Sequence, residues 1–151
     1  MKVALYYPWV YLPGGPERVI YELTGRSRHQ WTVFTNHYAR AQTFSALKER
    51  DIRELRTVSV ERSIRKAASA AFRILSQKLP LEEFQALIVL GEGLGDLVTL
   101  RNHGLPTLCI CLTPLRPAFD PLYRERAFGS RGRAARLALR FGLTLFEARD
   151  R

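Results

Sequence analysis

Five short runs rich in apolar and β-branched residues recur along the chain: KVALYY (2–7), QWTVFTN (30–36), IRELRTVSV (52–60), ALIVLG (86–91) and PTLCICL (106–112). The stretches between them read as helix or connection. Strands separated in this way are too far apart in sequence for tight hairpins and suit parallel pairing through crossovers. Runs one, four and five are almost continuously hydrophobic, the pattern of central strands covered on both faces. Run three alternates and carries Arg53, Glu54 and Arg56, which places it at a sheet edge. The expected fold is α/β: a doubly wound, mostly parallel sheet with helices on both faces and strand order 3-2-1-4-5.

The helices are legible from their ends and stripes. Pro16 suits the first turn of PERVIYELTGR, where its missing N–H costs nothing, Glu17 complements the positive end of the dipole, and Gly25 marks a stop. In ERSIRKAASAAFRILSQKLP (61–80), Ile64, Ala68, Ala71, Phe72, Leu75 and Leu79 form one stripe, and Arg62, Arg65, Lys66, Ser69 and Arg73 another. This basic amphipathic helix has two readings, a core-facing helix with a solvated back or a membrane- and anion-facing one. The first is the plainer.

Charge narrows the partners. The 151 residues carry 24 Lys and Arg against 14 Asp and Glu, a formal net charge of +10, and 46% are hydrophobic. That is enough for a packed core and for a surface that favours phosphorylated ligands, anionic lipid headgroups or nucleic acid. Nucleic acid is disfavoured, because no recognition element accompanies the charge. Residues 116–151 hold nine arginines and four acids. They read as helical and then stop without a closing strand, so the ending is expected to be a cut, as in a truncated domain, a pseudogene product or one subunit of a split enzyme.

Cys109 and Cys111 lie two apart in a strand-like run, flanking Ile110, and the three histidines are scattered. Neither a disulfide framework, a metal site nor a cofactor motif is suggested, and a reducing cytoplasm is the plainer setting. No apolar stretch approaches the ~18 residues of a membrane span. The expected location is therefore cytoplasmic, with peripheral contact at the inner face of the membrane as an extension of the basic helix.

Ligands in open α/β sheets bind beyond the carboxyl ends of the strands, where strand order reverses. Three segments meet there in the expected order. In the loop 8–16, Gly14 and Gly15 permit positive φ and close approach of a ligand, and the following helix offers N–H groups to an anion. Gly-Gly-Pro is also ordinary turn chemistry, and neither the dinucleotide nor the P-loop spacing is present. GEGLGD (91–96) supplies Glu92, as a partner for a ligand hydroxyl or, more plainly, as cap of a helix starting near Leu94. LTPLRPAFD (112–120) is stiffened by prolines and carries Thr113, Arg116 and Asp120, the last two open to reading as a ligand pair or a salt bridge.

PGGPERVIYEL (13–23) followed much later by CLTPLRPAFDPLY (111–123) resembles the N-terminal, Rossmann-like domain of retaining GT-B glycosyltransferases of family four. Gly14, Gly15, Glu17 and Arg18 match that family's Gly-Gly-x-Glu-Arg segment; Thr113, Pro114, Leu115, Arg116 and Asp120 match its Thr-Pro-Leu-Arg segment and the Asp beyond. The resemblance spans nearly the whole chain. It implies an acceptor-binding domain over 1–151, with a nucleotide-diphosphate sugar as donor and a lipid-linked or glycan acceptor.

By that resemblance Gly14 and Gly15, with Thr113 and Arg116, face the diphosphate or acceptor phosphate, while Glu17, Arg18, Glu92 and Asp120 support them. Arg62, Arg65, Lys66 and Arg73 correspond to the basic helix with which lipid-modifying members touch membranes. Two departures stand out. Leu112 takes the place of the family's His, with Pro117 and Phe119 for its Tyr and Trp, and Leu can neither donate a hydrogen bond nor carry a proton. The nucleotide-binding C-terminal domain, with its E-x7-E motif, has no counterpart, so transfer is expected to require a donor-domain partner. The alternative implied by both departures is a non-catalytic membrane- or polyanion-binding module.

Overall fold

The computed structural model describes residues 1–60, 64–113, 120 and 122. Its main sheet has five parallel strands: β1 (Lys2–Tyr6), β3 (Gln30–Thr35), β5 (Ile52–Glu54), β6 (Ala86–Gly91) and β7 (Thr107–Cys111). They lie in the order β5-β3-β1-β6-β7, which is the expected 3-2-1-4-5. Central β1 pairs with β3 on one side (Val3 with Trp31) and β6 on the other (Val3 with Ala86). A two-stranded parallel pair, β2 (Trp9–Val10) and β4 (His37–Tyr38), continues past the bends after β1 and β3. The Asn36 N–H donates to the Pro8 carbonyl and couples those bends.

Burial follows strand position. Val3 to Tyr6 are all buried, because β1 has a strand on each side and packing on both faces. Alternate residues feed two clusters. Ala4 and Tyr6 join Phe34, Leu87, Val89, Val98 and Ile74; Leu5 and Tyr7 join Val33, Leu90, Leu47 and Ile20. Run three is an edge strand, as its charges imply, but only Ile52–Glu54 pairs, and residues 55–60 run on beyond it. Run five departs from expectation. Thr107, Leu108, Cys109 and Cys111 are exposed and Ile110 is half-buried, because among the described residues β7 is the opposite edge with one strand neighbour.

Helix α1 (Gly15–Arg26) starts where Pro16 predicts but does not stop at Gly25. It ends one residue later, where Ser27 turns to extended backbone and its N–H reaches the Leu23 carbonyl. Gly25 instead makes room for Arg50, whose Nη2 would lie 2.8 Å from an added Cβ. Thr24 is tolerated in the buried face because its hydroxyl donates to the Ile20 carbonyl at 2.8 Å.

Helix α2 (Ile64–Ser76) is rotated relative to expectation. Ala70 and Ile74, with Leu79 beyond the helix, are buried, whereas Ala68 and Leu75 are exposed and Phe72 is 70% exposed. Packing sets this rotation: α2 lies against the 3-10 turn Gly95–Leu100, and the branched Ile74 enters the cluster with Val98. Ala68, Phe72 and Leu75 of the expected stripe thereby face outward.

The chain divides into two units, Met1–Leu112 and Thr113–Arg151, and the sheet belongs to the first. Among the described residues of the second, Asp120 is half-buried and Leu122 exposed.

Candidate functional site

The chain leaves β1 toward β3 on one side and, after β5, crosses to β6 on the other. The carboxyl ends of β1 and β6 therefore flank the switch point, where an open parallel sheet forms its crevice. Tyr7 follows β1 and Glu92 follows β6. The Tyr7 hydroxyl donates to Glu92 Oε2 at 2.8 Å, so one hydrogen bond crosses the switch point. Burial pushes the Tyr7 phenol far above its usual range. The Glu92 charge and the bond to it add to this, as do Glu17 and Tyr11. Tyr7 is thus a fixed donor and no source of a phenolate.

Gly14 and Gly15 open α1 on this rim. Gly14 is the N-cap residue with φ −97°, and Gly93 is the only positive-φ glycine among the described residues. The freedom for positive φ that the pair offers is therefore not used in this structure. Space distinguishes the two glycines. A Cβ on Gly14 would come within 2.8 Å of Glu17 Oε2, whereas one on Gly15 would meet nothing within 4 Å. The Arg18 N–H closes the first helical bond to the Gly14 carbonyl at 3.0 Å. Before it, the amides of Gly15 and Glu17 have no intrahelical acceptor and Pro16 has no N–H.

Glu17 is only 2% exposed, and its Oε1 accepts from the backbone N–H groups of Tyr11 and Leu12, each at 3.2 Å. It thereby holds the loop that leads into α1. Arg18 is exposed on the first turn.

The second loop is shaped by its glycines. An added Cβ on Gly91 would collide with the Asp96 carboxylate, one on Gly95 would lie 2.9 Å from the Leu90 carbonyl, and Gly93 has φ 82°. Glu92 is not a helix cap: the turn Gly95–Leu100 begins from Leu94 without a side-chain cap, and the Glu92 carboxylate turns to Tyr7. The Trp9 indole N–H, on β2, is buried with no hydrogen-bond partner among the described residues.

Arg116 and Arg62 lie outside the described residues, and Thr113 and Asp120 belong to the second unit. Arg65 and Arg73 are exposed and Lys66 half-buried on α2. Tyr7 and Trp9 escaped the sequence reading because aromatic residues ending a strand look like core. Among the described residues no three His, Cys, Asp or Glu side chains converge as a metal site, and no helix is long and apolar enough to cross a membrane.

Comparison of the chain with protein-family models, with characterised proteins and with solved structures finds no match.

Proposed function

We propose that the chain is the acceptor-side domain of a retaining glycosyltransferase, transferring a sugar from a nucleotide-diphosphate donor to a lipid-linked or glycan acceptor once a donor-binding domain completes the site. The observation that carries this reading is the placement of the open Gly15 backbone at the β1 end of the switch point, beside the Tyr7–Glu92 bridge. Departure of a diphosphate needs preorganised donors more than a strong base. The Gly15 and Glu17 amides suit that role, and the Glu17 carboxylate is held against the preceding loop by two backbone bonds.

The full doubly wound arrangement, with helices on both faces, is part of this reading. It is supported by Ile20 of α1 and Ile74 of α2 entering the two separate clusters fed by alternate residues of β1. By the resemblance, Arg116 would stabilise negative charge on the diphosphate or acceptor phosphate.

Deletion of the coding sequence tests the proposal. Lipid-linked glycan intermediates analysed by mass spectrometry should then stop one sugar short. Wild type should restore them and Gly15→Glu should not, because the added carboxylate would occupy the rim. An unchanged glycan profile in the deletion strain would contradict the reading.

A second reading is favoured by α2. Its outward face presents Phe72, Ala68 and Leu75 beside Arg65, a composition suited to an anionic bilayer surface. In that reading the chain is a binding module with no transfer chemistry of its own.

A further inference from the structure

Residues 78–84 lead into β6 and residues 101–105 lead into β7, so both segments lie at the amino ends of parallel strands, the end of the sheet away from the Gly14–Gly15 rim. Between them is a recess of about 420 Å³. Its apolar lining includes Leu79 and Phe84, both buried, and Leu105, half-buried. Its polar lining includes Lys78, Arg101 and His103, all exposed, with Glu82 as the single acid.

The two walls are held together by a buried side chain between them. Asn102 Oδ1 accepts from the Leu79 N–H at 2.8 Å, and its Nδ2 donates to the Gln77 and Val98 carbonyls, each at 2.8 Å. Both amide hydrogens are thereby used, so Asn102 is a staple and not a ligand contact. The Phe84 N–H donates to the Leu81 carbonyl at 3.1 Å and closes the turn before β6. The Lys78, Arg101 and His103 side chains, by contrast, enter no hydrogen bond or ion pair among the described residues.

We infer that this recess binds a small soluble carboxylic acid, its carboxylate against Arg101 and Lys78 and its short apolar body against Leu79 and Phe84. The volume lies within the range of roughly 300–1,000 Å³ that small-molecule sites occupy. A planar guanidinium matches a carboxylate with two parallel N–H donors, and an apolar body covers lining that water otherwise meets. Two permanent cations, Lys78 and Arg101, face one carboxylate, Glu82, an excess of one positive charge. That excess matches a monoanion, and Glu82 counts against a dianion such as a phosphate monoester. The inference is independent of the glycosyl-transfer reading, since it uses no residue of the Gly14–Gly15 rim.

The test titrates the full chain with 3-phenylpropionate while amide NMR shifts are followed. Two further probes divide the ligand: 3-phenylpropanamide keeps the body without the charge, and acetate keeps the carboxylate without the body. Saturable shifts from 3-phenylpropionate are expected at Lys78, Leu81, Arg101, His103 and Gly104. The amide should bind about tenfold more weakly, the scale of one lost charge-assisted hydrogen bond, and acetate weaker still. Arg101→Gln should weaken 3-phenylpropionate binding about tenfold, and Lys78→Gln, in the other wall, should weaken it less. Lys48→Gln removes the same charge from an exposed position before β5, at the opposite edge of the sheet, and should leave binding within about twofold.

Binding of the amide or of acetate as tight as that of 3-phenylpropionate would overturn the inference. So would equal losses in Arg101→Gln and Lys48→Gln, shifts spread evenly over the cationic surface, or no saturable response to 3-phenylpropionate. Unchanged melting temperatures verify that the variants fold. Shifts at Gly14 and Gly15 report the rim separately, so the two sites succeed or fail independently.

Discussion

The Tyr7 hydroxyl donates to Glu92 Oε2 at 2.8 Å, tying the residue after β1 to the residue after β6 across the point where the strand order reverses. Neither residue belongs to the Gly-Gly-x-Glu-Arg segment, yet together they fix the gap between the two loops. Tyr7→Phe leaves a partly buried carboxylate without its donor and should destabilise the protein by about 1–3 kcal/mol. Urea denaturation measures this. No change in midpoint would mean that the bridge contributes nothing to the fold.

Glu17 acts on the same rim from within. Glu17→Ala would remove the acceptor of the Tyr11 and Leu12 amides. Hydrogen exchange at those two amides should quicken selectively, while amides in β1 and β3 keep their protection. Unchanged exchange at Tyr11 and Leu12 would show that the loop holds itself.

The rotation of α2 predicts opposite outcomes for two large apolar residues two positions apart. Ile74 is fully buried, so Ile74→Ala should cost about 2–5 kcal/mol. Phe72 lies outward, so Phe72→Ser should change stability by no more than about 0.5 kcal/mol while lowering binding to anionic vesicles. Thermal melts of the two variants distinguish this rotation from one that buries Phe72.

A charged cluster at the amino ends of the strands predicts acid sensitivity. Burial alone would raise the Asp51 carboxyl, but the Thr32 hydroxyl, at 2.6 Å, and Arg53 together hold it below its ordinary value of 3.8. A depressed folded value favours the charged form in the native state. Its contribution is complete above the unfolded value and is lost as pH falls through the folded one. Asp51→Asn should therefore flatten the loss of melting temperature below about pH 4. A variant as acid-sensitive as wild type would assign that loss to other groups.

The strand order was legible because run hydrophobicity and charge report how many neighbours a strand has. Val3 to Tyr6 read as central, and Arg53 and Glu54 mark an edge. PTLCICL misled because an edge strand of apolar residues carries the same composition as a central one. The rotation of α2 was not legible, since its two candidate faces differ by a small turn about the axis and Ile74 wins through its fit beside Val98, a contact distant in sequence. The glycines were legible as a group but not individually. Gly91 and Gly95 are required by Asp96 and the Leu90 carbonyl, Gly93 by its backbone, and Gly15 by no protein atom near it. Glu92 was readable as a polar group on the rim, but its partner was not, because Tyr7 lies 85 residues away.

That empty surround at Gly15 makes one measurement the most direct test of a diphosphate-facing rim: amide NMR of the full chain titrated with pyrophosphate, in wild type and Gly15→Glu. The account predicts shifts at Gly14, Gly15 and Glu17 that disappear in the variant, with its melting temperature unchanged. Silence at those amides throughout the titration, or the same shifts persisting in Gly15→Glu, would contradict it.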